Sequence, residues 1–382
     1  MQCIIDKALL VEKLERVKAV TGKKTTIPVL AFFRITTAER GLEIQATDLE
    51  ITYKTPLIPK IMEGVIDTCL PAQKVYEIAR EMPDSEITFK FGETDCTISS
   101  GKAKFKIKTM SPENFPSLDY GYFDDESAST ISLDFDPDDL RDAIHQVGYA
   151  ASTEVSRFSL SDILVQPKDD GKVSLCATDG HRLSRDTFPC KSSDQFVKDE
   201  KPLASFRLPV RGATVWMGRN TNDASIKITA SNRAIRLHAP SFGTYYTAIK
   251  EGQFPDIDRL FHDVKAGDAR VYDVDAEAIT NAIRRASLVA DGRSSSIRLA
   301  FKEESIVVTS ESAESGSCQE DLAISSVSGY SGEDVVVGLN ATYLLDVTSR
   351  QSGNIQMRVK GAGDAILIQK DGMEAVIMPL RV

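Results

Sequence analysis

The stretch Asp6–Val17 (DKALLVEKLERV) returns twice more in spacing though not in letters, as Asp136–Val147 (DPDDLRDAIHQV) and Asp275–Ala286 (DAEAITNAIRRA). In each copy an Asp is followed by apolar residues at offsets of 4, 8 and 11: Leu10, Leu14 and Val17; Leu140, Ile144 and Val147; Ile279, Ile283 and Ala286. A carboxylate placed to accept from the free N–H groups of a first turn, then one apolar stripe at helical period, reads as a capped helix with a single buried face. A second helix start follows each time, at Leu70-Pro71, Leu208-Pro209 and Leu339-Asn340; Pro71, Pro209 and Asn340 lie 65, 73 and 65 residues beyond the Asp. Such a period exceeds the roughly 20–50 residues of solenoid repeats, so each copy is large enough to bury its own core. The 382 residues therefore divide into three repeated domains. Repeated modules build a surface or a ring more readily than one catalytic centre.

Composition narrows the class. The chain is 42% hydrophobic and 27% charged, as ordinary globular proteins are. No apolar run reaches the roughly 18 residues that a membrane helix needs. The N-terminus (Met1–Asp6, MQCIID) goes straight into strand-like alternation without the basic start and apolar core of a secretory leader, so a cytoplasmic location is expected. Six cysteines and four histidines are scattered with no pair at metal-ligand spacing; reduced, buried thiols and no metal are the expectation. No cofactor motif is present.

A net charge of −10 argues at first against a nucleic-acid partner. Its distribution argues otherwise. The helical segments expected at 7–24, 71–82, 137–153, 209–220, 276–293 and 340–350 together hold 15 Lys+Arg against 10 Asp+Glu, a balance of +5 that leaves −15 on the remainder. Relatively basic helices beside acidic strands and loops suit one side facing a polyanion, although Asp138, Asp139 and Asp142 make the third segment acidic.

Between the helices the pattern alternates with period two, as in Gly41–Thr47, Glu86–Phe91, Ala103–Lys108, Val173–Ala177, Ser225–Thr229, Ala234–His238, Ser305–Thr309 and Ala365–Gln369. Turn residues such as Asp170-Gly171 and Asp371-Gly372 punctuate these strands. The fold class is α+β, with two helices per repeat on one face of antiparallel sheet. Matching closures, Asn114–Asp119 (NFPSLD) and Gln253–Asp258 (QFPDID), place the domains at 1–126, 127–262 and 263–382, with linkers at 119–126 and 262–268. Three such domains end to end do not close. A two-fold, head-to-tail contact between two chains would close a ring, with the helices lining the inner face and the sheets outside, around a duplex held by phosphate contacts without base readout.

The sharpest local motif is Ala177–Leu183 (ATDGHRL). Asp179 and His181 offer an acid/base pair and Arg182 an anion clamp, but no GxSxG, HExxH or P-loop accompanies them. A strand-to-strand turn on Gly180 is the simpler reading.

This motif and the terminal Val376–Val382 (VIMPLRV) closely resemble the bacterial DNA polymerase III beta subunit family, the sliding clamps. Further likenesses run in family order along essentially the whole chain: Thr47–Glu50 (TDLE), Leu70–Arg80 (LPAQKVYEIAR), Ser100–Lys104 (SGKAK), Gly252–Asp256 (GQFPD) and Asn340–Val347 (NATYLLDV). The resemblance implies the DNA clamp fold in three clamp domains and a non-catalytic processivity factor. It implies a homodimeric ring that encircles duplex DNA without sequence specificity and tethers the replicative polymerase alpha subunit. Other partners would be an external clamp loader and further replication and repair proteins that share a clamp-binding motif, with no cofactor and no membrane.

The same resemblance implies a pocket for short apolar peptides between the second and third domains. From the middle of the chain it would take Leu160, Thr178, Gly180, His181, Arg182 and Leu183. Pro255, Arg259, Leu260 and Ala365 would join them, with Val376, Met378, Pro379, Leu380 and Arg381 from the end. An apolar groove with a flexible Met suits a site that accepts many partners. For DNA it implies Lys23, Lys24, Arg157, Phe158 and Arg211. Phe158 stands where the family carries tyrosine, which leaves no hydroxyl for a phosphate. Phe105 and Ile107, on an edge strand of the first domain, would meet Leu288 and Val289 of the third across the dimer. Two departures, Ile257-Asp258 and Ser294–Ser296, bear on affinity. Two competing readings remain: a repeat scaffold that binds proteins but not DNA, and an enzyme using Asp179, His181 and Arg182.

Overall fold

A computed structural model describes the chain apart from residues 22–25, 117–128, 198–202, 211–212, 214–222, 250–251, 291–294 and 381–382; of residues 155, 156, 158 and 196 only the backbone is described. The three capped helices form where the Asp spacing sets them. They are α1 (Lys7–Val20), α3 (Pro137–Val147) and α5 (Ala276–Ser287), with α2 (Ala72–Glu81) and α6 (Ala341–Thr348) as second helices of the outer copies and α4 (Ile257–Lys265) between the middle and last copies. Asp6 accepts from the N–H of Leu9 at 3.1 Å, Asp136 from Asp138 at 2.9 Å and Asp275 from Ala278 at 2.8 Å. Leu10, Leu14, Val17, Leu140, Ile144, Val147, Ile279, Ile283 and Ala286 are all buried, as the offsets require.

The helices stop earlier than the sequence pattern alone predicts. At the end of α1 the N–H of Thr21 turns back to Val17 O, and Gly148 passes α3 into a 3-10 turn, Gly148–Ala150. The middle copy's second helix, expected at 209–220, lies largely outside the described residues. In contrast, α4 occupies part of the stretch 262–268 read as a linker. Asp256 caps it through the N–H of Arg259 at 3.1 Å, and Ile257 and Phe261, one turn apart, bury its inner face.

The chain forms two compact units, Met1–Asp138 with Cys190–Ile249, and Asp139–Pro189 with Lys250–Val382. The first holds a five-stranded antiparallel sheet in the order Ile61–Glu63, Gln2–Asp6, Glu86–Phe91, Asp95–Ser100, Ala103–Lys108. It also holds a nine-stranded sheet in which the middle copy's Gly243–Ala248 pairs with the first copy's Ile51–Leu57, Tyr245 facing Tyr53. Backbone hydrogen bonds thus cross directly from one copy to the next. Arg16 of α1 lies over the Phe242 ring at 3.1 Å, and Tyr53 Oη donates to Phe242 O at 2.5 Å.

The second unit repeats this plan. Its large sheet contains Lys172–Thr178, Arg182–Pro189, Met373–Ile377, Ile366–Lys370, Asn354–Val359 and Arg270–Asp275 as successive neighbours. The copies join where Leu183 faces Val376. A four-stranded sheet, Gly316–Ala323, Ser305–Ser312, Ser296–Phe301, Val335–Asn340, packs under α5 and α6, with Ile279, Ile283, Leu344 and Val347 set against Leu299, Ile306, Val308 and Val337. Burying these side chains at about 1.5–3 kcal/mol each provides the driving force for the layer.

A braced turn and two open strand edges

Thr178 ends one strand and Arg182 begins the next, so the ATDGHRL motif is a turn. Gly180 sits at φ +90°, a conformation that costs any L side chain. Its neighbours tie the turn down. Thr178 Oγ1 accepts from the N–H of Gly180 at 3.1 Å and donates to Arg182 O at 2.6 Å. Asp179 Oδ1 accepts from the N–H groups of His181 and Arg182 at 2.9 and 3.0 Å, while Oδ2 accepts from Arg182 Nε at 3.0 Å. This carboxylate is committed to the backbone and to a guanidinium, so it is not a base held ready for His181. The histidine is instead exposed, its ring stacked 6.4 Å from that of Tyr343.

Around this turn the structure gathers most of the residues implicated in peptide binding. Leu183 and Val376 are buried in one apolar cluster with Leu164, Cys176, Ile257, Phe261 and Leu367, and Ala365 and Phe254 pack against it. They form its floor. The side chains left at the surface are His181, Pro255 and Arg259, with Leu260 39% and Met378 44% exposed. Met378 N–H donates to His181 O at 3.0 Å and Leu380 N–H to Gly338 O at 2.8 Å, which fixes the terminal segment beside the turn. Pro379 and Leu380 are half-buried, as is Leu160 at the end of the 3-10 segment Val155–Leu160. Arg381 lies outside the described residues.

An ion cluster lies between α4 and the sheet. Arg185 bonds Glu374 through Nε at 3.0 Å and through Nη2, and Asp258 at 3.2 Å, while Lys265 also reaches Glu374. Burial works against the charge on Glu374, but the hydrogen bonds from Lys265 and Arg185 outweigh it and hold its carboxyl below the ordinary value. The Arg185 guanidinium also lies 3.7 Å over the Phe261 ring. Of these groups only Asp258 was singled out by sequence reasoning, and not for this pairing, because Arg185 lies 73 residues from Asp258 and 189 from Glu374. Tyr343 and Asp346 escaped likewise, although they stand inside the NATYLLDV match; their only local sign was the Asn340 cap, whose Oδ1 accepts from Tyr343 N–H at 3.2 Å.

Among the residues implicated in DNA contact, Lys23, Lys24 and Arg211 lie outside the described residues, and of Phe158 only the backbone is described. The Arg157 guanidinium is tied to Asp179 O at 2.9 Å and to Glu154 at 3.2 Å.

Phe105 and Ile107 do stand on a sheet edge, since Ala103–Lys108 is the outermost strand of its sheet. Phe105 is 44% exposed and Leu288, at the end of α5, 80%; Ile107 and Val289 are half-buried. A second edge was missed. Gly316–Ala323 is outermost in the four-stranded sheet. The first edge carries Lys104, Lys106 and Lys108, the second Glu320 and Asp321.

Among the described residues, no cluster of His, Cys, Asp and Glu could hold a metal ion, and no helix is long and apolar enough to cross a membrane. Comparison with known proteins covers the whole chain. Family profiles for the N-terminal, central and C-terminal domains of the DNA polymerase III beta subunit match residues 1–119, 134–256 and 266–381. The beta sliding clamps of Haemophilus influenzae and Caulobacter vibrioides are 27% and 26% identical, over 391 and 399 residues, with 100% of both chains covered. The crystal structure of the beta subunit of Streptococcus pyogenes DNA polymerase superimposes with a TM-score of 0.88 at 21% identity, again over 100% of both chains.

Proposed function

Because the chain belongs to the DNA polymerase III beta subunit family, and so is a non-catalytic sliding clamp, we propose that two copies close into a ring around duplex DNA and tether the replicative polymerase to it. The three domains would be 1–126, 127–262 and 263–382. The observation that carries the ring is the pair of open strand edges. A basic edge at one end of the chain and an acidic edge near the other suit head-to-tail pairing between two copies, which repeats under two-fold symmetry. Phe105 and Ile107 would then meet Leu288 and Val289, with Leu322 beside them. Paired edges also remove the aggregation hazard that two unpaired strands would pose.

In the closed ring the relatively basic helices face the phosphates, with Lys23, Lys24, Arg157, Phe158 and Arg211 as the contact set. The turn at Thr178–Leu183, the tail Val376–Arg381, α4 with Arg259 and Leu260, and the flanking Leu160, Pro255 and Ala365 form one docking site. Met378, Leu260 and His181 support that reading, being exposed around a buried apolar floor. The polymerase alpha subunit, a clamp loader and other cytoplasmic replication and repair proteins would share it. Sedimentation of Phe105→Glu tests the ring. The single protomer should appear at concentrations where the parent is a dimer, with an unchanged far-UV circular dichroism spectrum; a dimer of undiminished affinity would refute the edge assignment.

A further inference from the structure

Arg182 is a hub inside the chain and not a free anchor at the surface. Each of its three nitrogens already has an acceptor: Nε bonds Asp179 Oδ2 at 3.0 Å, Nη1 bonds Asp346 Oδ2, and Nη2 bonds Tyr149 O at 2.9 Å. Its plane lies 4.5 Å from the Tyr343 ring and 5.3 Å from that of Tyr149. The side chain is only 12% exposed.

We propose that Asp346 of α6 is a positioning residue for partner docking. It holds Arg182, and through Arg182 the Asp179–Arg182 turn, in the arrangement that receives the partner peptide. This inference rests on reading that turn as part of the docking site.

The carboxylate joins two cations. Oδ2 takes Arg182, and Oδ1 lies 3.7 Å from Arg350 Nη1. Arg350 in turn donates to His145 O at 3.1 Å and lies 4.5 Å over Tyr149. Two guanidiniums thus rest on one tyrosine ring, and Asp346 offsets the repulsion between them. Asp179 is the only other carboxylate bonded to Arg182 among the described residues, and it also braces the turn. Loss of the Asp346 charge therefore pulls on Asp179 and displaces the N–H groups of His181 and Arg182 that it accepts. Displacing His181 then moves Met378, whose N–H is held by His181 O. Two exposed contacts of the docking surface, His181 and Met378, are therefore linked to a carboxylate that a partner need not touch. Preorganisation of this kind acts on affinity by removing the cost of ordering the site.

The test measures binding of the full-length clamp to the purified replicative polymerase alpha subunit of the same organism. Asp346→Asn should weaken binding about tenfold, the weight of one charge-assisted hydrogen bond. Asp346→Glu, which keeps the charge on a longer stem, should recover most of that loss. Amide exchange should quicken at His181, Arg182 and Met378 and stay unchanged in α5. In a double-mutant cycle with Arg182→Lys the effects should not multiply, since both act through one contact. Asn-variant binding within twofold of the parent, or losses that multiply as for independent sites, would overturn the proposal. So would a glutamate variant as weak as the asparagine one. Deletion of residues 378–382 serves as the separate check. If that protein bound polymerase normally, the docking-site reading itself would fail, whatever Asp346 does.

Discussion

Replacing Phe261 by Ala should undock α4 while leaving the unit around it folded. The helix has nine residues, too few to persist in water without tertiary contacts. Two fully buried side chains hold it, Ile257 and Phe261, each 2% exposed and each worth about 1.5–3 kcal/mol of burial, with Val264 half-buried beside them. The ion pairs add little. Asp258 is 58% exposed and Lys265 43%, so their bonds to Arg185 and Glu374 are each discounted to less than about 1 kcal/mol. Truncating a fully buried Phe costs about 3–5 kcal/mol, but the lower end applies here, because a surface helix can detach rather than leave a sealed cavity. A loss of about 3 kcal/mol corresponds to about a hundredfold rise in the open population. Hydrogen exchange read by mass spectrometry should show that acceleration across 257–265, with α5 and the strand Arg270–Asp275 unaffected. Polymerase binding should weaken in parallel, since Arg259 and Leu260 ride on α4. Unchanged exchange in 257–265, or equal acceleration in α4 and α5, would refute the idea that two side chains anchor this helix locally.

Other consequences can be measured directly. At Gly243, φ is +106° and an added Cβ would lie 2.3 Å from Lys54 O, so Gly243→Ala should lower stability by at least about 2 kcal/mol in urea titrations; Gly171→Ala, at φ +74° with nothing within 4 Å, should cost only about 1 kcal/mol. Burial, with repulsion from Asp142, pushes the Asp186 carboxyl above its ordinary 3.8 despite the Thr187 N–H. The fold therefore retains this proton more tightly than the unfolded chain does, so the penalty is absent below the unfolded value and grows as pH rises towards the folded one. Asp186→Asn should be more stable than the parent at neutral pH, an advantage that fades as pH falls below about 4. Burial raises the Cys3 and Cys96 thiols to about 12 and Cys69 to about 11, and it raises Cys176 as well. Ellman's reagent should thus find the half-buried Cys190 and Cys318 before the other four of the six, which should react only after unfolding.

Local rules carried the repeat. An Asp cap and three apolar offsets are encoded within twelve consecutive residues, so α1, α3 and α5 could be read from the chain, and alternation placed Gly41–Thr47, Glu86–Phe91 and Ala103–Lys108 to the residue. The helix ends were less legible, because α1 ends through turn geometry at Thr21 and α3 gives way at Gly148 to a 3-10 turn that continues the coiling. α4 was hidden for another reason: its inner face, Ile257, Phe261 and the half-buried Val264, fits within nine residues and runs into the polar stretch 262–268, too short a stripe to separate from a linker. The turn at Gly180 was legible because glycine and two short polar side chains specify it locally. Its bracing was not. Asp346 meets Arg182 across 164 residues, and such pairings follow from topology alone. The edge strand Gly316–Ala323 was missed on similar grounds, since being outermost is a property of the sheet and leaves no mark on the strand's own sequence.

The central claim is enclosure of the duplex, and topology tests it without reference to any single contact. Clamp loaded onto a nicked circular duplex should co-elute with the DNA through gel filtration, and cutting that circle once should release it from the open ends. Equal retention on the circle and on the linear product would contradict the ring.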